Sequence, residues 1–72
     1  MARVSIDNGH TFCTAEEAMG KPHFVGWRFF VEMMDDETRE AVHREGIEEG
    51  PDWEMRFLKR YLELAKEDLI IG

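Results

Sequence analysis

Between residues 24 and 34 the chain places eight large apolar side chains in eleven positions, broken only by Gly26, Arg28 and Glu32. At about 100° per residue this run predicts a helix that is apolar on nearly every side. Phe24, Trp27, Val31 and Met34 fall on one stripe, and Val25, Phe29 and Met33 on a second. Such a helix is either buried on more than one side or keeps a face for a partner. The rest of the chain is expected to be organised around it.

The pattern then changes. Residues 36–45 carry only Ala41 and Val42 as interior apolar positions, which predicts a helix burying a thin edge. Asp35 or Asp36 is the expected cap and Gly46 the expected stop. After a loop broken by Gly50 and Pro51, Asp52 is expected to cap a last helix over residues 53–66. There Trp53, Phe57, Leu58, Tyr61, Leu62, Leu64 and Ala65 face Arg56, Lys59, Arg60, Glu63 and Lys66 across the cylinder, the clearest amphipathic pattern in the chain.

Before the central run, residues 3–6 alternate and reach Asn8-Gly9, two residues that tolerate positive φ, ahead of a second β-prone run at 11–13. That spacing predicts a hairpin. Thr14 and Glu17 have the spacing of a capping box and predict a short helix ending near Met19 and Gly20. Lys21-Pro22 interrupts it, with Pro22 suited to the first turn of the central helix. Leu69, Ile70 and Ile71 read as a short strand. The expected fold is therefore α+β: a small three-stranded sheet, made of the N-terminal hairpin and the C-terminal strand, packed by three to four helices.

Length and composition narrow this picture. Seventy-two residues make a single domain, 1–72, near the size at which packing alone can hold a fold. Cys13 is the one cysteine, so no disulfide within the chain assists. A hydrophobic content of 43% with eight aromatics favours a folded chain despite 35% charged residues. Neither a leader pattern nor a run of about 18 apolar residues is present, so no membrane association and a cytoplasmic setting are expected.

Charge adds a regional feature. Residues 32–54 hold ten acids against Arg39 and Arg44, a net −8, whereas the remainder nets +1. Asp35, Asp36, Glu37, Glu40, Glu48 and Glu49 form a candidate acidic surface, which repels nucleic acid and attracts basic surfaces. Its simplest reading is a solvated face. The cations Arg56, Lys59, Arg60 and Lys66 form a candidate basic face, weak as a nucleic-acid footprint and relieved by Glu63. Val25, Phe29 and Met33, with Trp53, are the candidate apolar interface.

Catalytic and metal chemistry find little support. His10, Cys13, His23 and His43 lack the paired spacing of a zinc site, and the acids lack the alternation of a calcium loop. A Cys13–histidine nucleophile would need a pocket that so short a chain has little room to build. No catalytic residue, metal or cofactor is expected.

The runs VSIDNGHTF at 4–12, MDDETREAVH at 34–43 and FLKRYLELAKEDLIIG at 57–72 resemble short acidic proteins encoded on phages and mobile elements of Gram-positive gut bacteria. The resemblance carries no catalytic signature and implies a context in which small proteins act by binding a larger machine. The expected function is a non-catalytic protein-binding module, an inhibitor or modulator that shows an acidic surface to a basic, nucleic-acid-handling partner. The alternative is a small regulator touching nucleic acid through the basic face of its last helix. The expected partner is another protein rather than nucleic acid, with the chain a monomer or a weak homodimer.

Overall fold

Local capping chemistry sets where the helices begin. In a computed structural model of the chain, which describes residues 2–20 and 26–72, the Thr14 hydroxyl accepts from the Glu17 amide at 3.2 Å and Glu17 Oε1 accepts from the Thr14 amide at 3.1 Å. This reciprocal pair opens helix α1, Ala15–Gly20. Helix α2 spans Trp27–Met33 and is entered through Gly26 at φ 95°, a conformation that glycine adopts without steric cost. The expected start near Pro22, and Val25 of the candidate interface, lie outside the described residues.

Helix α3, Asp36–Arg44, is capped by Asp35, whose carboxylate accepts from the Thr38 amide at 3.0 Å and the Thr38 hydroxyl at 2.9 Å. The same bonds, that from the amide first, hold the Asp35 carboxyl below its ordinary range. Helix α4, Trp53–Leu64, begins differently from expectation. Asp52 sits at φ 59° and makes no side-chain cap. Instead Arg56 reaches back to donate to the Pro51 carbonyl at 2.7 Å and to the Glu49 carbonyl. The helix ends two residues before the expected Lys66, with Ala65 already extended.

Strand β1, Val4–Ser5, pairs in parallel with strand β2, Leu69–Ile70, Val4 opposite Leu69 and Ser5 opposite Ile70. The two short runs are thus neighbours, as their need for cover implied. The three-stranded sheet is not formed: the sheet has two strands, and the chain is mostly helical with four helices among the described residues. Asn8 and Gly9 do turn the chain, at φ 58° and 85°. The return run makes one isolated antiparallel bridge, Cys13 to Val4, rather than a strand.

The reason lies in the turn's own side chains. Ser5 Oγ accepts from the Gly9 amide at 2.9 Å and donates to Asp7 Oδ1 at 2.7 Å, while Asp7 accepts from the Thr11 amide at 2.9 Å and from the Thr11 hydroxyl. Donors that a ladder would have used are taken locally. The Thr14 cap then commits the chain to a helix directly after Cys13.

The hub of the core is α4 rather than α2. Phe57, Leu58, Tyr61 and Leu62 are buried along it, and it packs against both α1 and α3. Ala15 and Ala18 of α1, Val42 of α3, Val4, Leu69 and Ile71 close the same core. From α2 come Phe30, fully buried, and Trp27, whose ring meets Phe57 edge-on at 5.5 Å. Fully burying a side chain of the Leu or Phe class contributes about 1.5–3 kcal/mol. The central run therefore supplies one wall of the core. Its inward stripe is Trp27, Phe30 and Met34, spaced i, i+3, i+7, with Phe30 and Met34 buried and Trp27, like Val31 beside it, half-buried.

Candidate protein-binding surface

Because α2 turns the Trp27–Phe30–Met34 stripe to the core, its opposite side faces outward. Phe29 is 54% exposed and Met33 56% exposed, one helical turn apart on the same face. Trp53 does not join them. Its ring packs edge-on against Trp27 at 5.4 Å and Phe57 at 6.3 Å, on the side of α2 that carries Trp27 and Val31. Of the candidate apolar interface, the described structure keeps Phe29 and Met33 together and assigns Trp53 to an aromatic cluster.

Met33 is the last residue of α2 and Leu64 the last of α4, and both line one groove of about 540 Å³. Tyr61 lies beneath it, its hydroxyl accepting from the Asp35 amide at 2.8 Å, which ties α4 to the start of α3. Burial of the ring, the largest influence, pushes the Tyr61 phenol above its ordinary value. The groove is rimmed by Asp35, Glu37, Glu67 and Asp68, against Lys66. Leu64 and Glu67 were not singled out as site residues from the sequence. Nothing in the apolar arc marks Leu64 as its one exposed member, and Glu67 reaches the groove where the chain has left the helix at Ala65.

The acidic residues divide by direction. Asp35 caps α3, and Asp36 meets Arg39 at 3.0 Å on the surface. Glu37 turns to the groove just described, whereas Glu40 and Glu48 border a smaller cleft of about 250 Å³ beside Trp27 and Trp53. Glu48 also contacts His43 Nδ1, and Glu49 is exposed. The candidate acidic surface is thus two flanks of α3 together with the loop that follows it.

The candidate basic face is largely engaged within the protein. Lys59 meets Glu16 of α1 at 2.6 Å, and Arg60 meets Glu45 at 2.9 Å and Glu63 at 3.0 Å. Hydrogen bonding to these carboxylates raises both cations above their ordinary values, through Glu16 for Lys59 and first through Glu45 for Arg60. Arg56 is turned to the carbonyls before α4. Lys66 stands on the groove rim, has no ion pair among the described residues, and acts on Asp35 at longer range.

Among the described residues, no three His, Cys, Asp or Glu side chains come together as a metal site, and no helix is long and apolar enough to cross a membrane. His23 lies outside those residues. Comparisons with protein families, curated proteins and solved structures find no match.

Proposed function

We propose that this chain is a non-catalytic protein-binding module that presents an acidic surface to a basic, nucleic-acid-handling partner. One observation carries the reading: the cations of α4 are spent on carboxylates and carbonyls of the chain itself, while Glu37, Glu40 and Glu49 have no such cation on them among the described residues. The field left over is negative, and a negative field draws a basic surface and keeps phosphate away. The same pairing argues against nucleic-acid contact through α4, since each engaged cation would have to leave a carboxylate to neutralise a phosphate. The resemblance to short acidic mobile-element proteins supplies the setting, a modulator in the cytoplasm that occupies the basic face of a larger machine.

Affinity capture from a bacterial lysate, with quantitative mass spectrometry of the retained proteins, tests this. Wild-type chain is expected to retain a basic protein that elutes with salt, and the Glu40→Lys/Glu49→Lys variant to lose it. Equal retention by the folded variant, or retention of nucleic acid alone, would overturn the reading.

A further inference from the structure

The groove lined by the ends of α2 and α4 has a more particular chemistry than the acidic face. Its apolar floor includes the exposed parts of Met33 and Leu64, and Phe29 extends that floor one turn back along α2. Methionine at such a position is adaptable, able to repack against side chains of different shape. Four carboxylates surround the floor. Asp68 is held by Arg3, whose amide donates to it at 2.8 Å, and Asp35 by Thr38, so both are fixed at the rim. Glu37 and Glu67 have no ion-pair partner among the described residues and are exposed. Lys66 offsets one of the four.

We infer that this groove is the docking site for a basic amphipathic helix of a partner protein, which sets a large apolar side chain on Met33 and Leu64 and lays Lys or Arg against Glu37 and Glu67. The inference rests on the protein-binding reading and deepens it by naming the site and the chemistry of its occupant. Charge decides between occupants. A second copy of this chain would bring another strongly acidic segment against an acidic rim, whereas a basic helix matches both floor and rim. An apolar floor between helix ends with a charged border is the arrangement that reads an amphipathic helix by its i, i+3, i+4 positions.

The test uses full-length chain labelled with carbon-13 in its methionine and leucine methyl groups. The probe is a short helical peptide of leucine and lysine with all leucines on one face. Saturable shifts at Met33 and Leu64 are expected, with Met19 and Met55 unmoved. Leu64→Glu and, separately, Glu67→Lys should each weaken the peptide by about tenfold or more. A matched leucine–glutamate peptide should not bind. Because Glu67 is a surface residue, its variant keeps the test informative if Leu64→Glu fails to fold.

Three results would overturn the inference. Peptide binding that leaves Met33 and Leu64 silent and is lost in the Glu40→Lys/Glu49→Lys variant would remove the groove and leave the acidic-face reading standing. Absence of any binding by the lysine peptide would remove both. Concentration-dependent shifts at Met33 without peptide, with mass doubling in sedimentation, would assign the groove to a second copy.

Discussion

Phe29 and Phe30 are the same residue type at adjacent positions, yet one is 54% exposed and the other fully buried. Truncating each to alanine is therefore a direct check on which side of α2 faces the core. Phe30 stacks on Trp27 at 6.2 Å between centroids and belongs to the buried cluster built on α4. Its removal takes away apolar burial and leaves a cavity that this small core can close only in part, a loss of about 3–5 kcal/mol. A domain of this length has a stability of about 4–11 kcal/mol, so Phe30→Ala removes a large share of it. At about 4–8 °C per kcal/mol, thermal unfolding followed by circular dichroism should fall by at least about 10 °C. Phe29→Ala, on the exposed side, should stay within about 0.5 kcal/mol of wild type. Melting of the two variants within about 3 °C of each other, or a larger loss for Phe29→Ala, would refute this orientation of α2.

Deletion of residues 69–72 removes the partner of β1 and the buried Leu69 and Ile71, so the melting transition should broaden or vanish; an unchanged transition would show β2 to be dispensable. Thr14→Ala breaks the reciprocal cap of α1 and should cost about 0.5–2 kcal/mol in urea denaturation. The Asp7 carboxyl lies well below its ordinary range, first because the Thr11 hydroxyl and then because the Ser5 hydroxyl donates to it. A carboxyl depressed in the folded state contributes stability that is fully present above its unfolded value, about pH 4, and is lost as pH falls below that. Melting temperatures measured between pH 7 and pH 2 should therefore drop less steeply for Asp7→Asn than for wild type, with the difference confined to the region below about pH 4.

Most of what was legible in the sequence was local. The Thr14–Glu17 box and the Asp35 cap depend on contacts three residues apart, and both formed. The amphipathic arc of α4 was legible for the same reason, since Phe57, Leu58, Tyr61 and Leu62 advertise one buried face. The two strand segments could be paired because each is too short and too apolar to stand alone. The hairpin was misjudged because Asn8-Gly9 specifies a turn but not a ladder. Ser5 and Asp7 then bind the amides of Gly9 and Thr11 themselves. The central run was legible as an apolar helix, with burial on several sides or a face kept for a partner left open. Periodicity marks which positions of a helix are apolar, but with apolar residues nearly all round it cannot say which are covered. The groove was invisible because it brings Met33 and Leu64 to one site from the ends of two separate helices, a tertiary relation with no spacing in sequence.

The division of charge, cations consumed within the chain and an acidic field left over, is tested most directly by one titration. Labelled protein is mixed at low ionic strength with a lysine-rich peptide or with duplex DNA, and fluorescence anisotropy is followed as salt rises. Only the peptide should bind, its affinity falling with salt and falling again in the Glu40→Lys/Glu49→Lys variant. Salt-dependent binding of duplex DNA by the wild-type chain, or peptide binding indifferent to that variant, would contradict an acidic protein-binding surface.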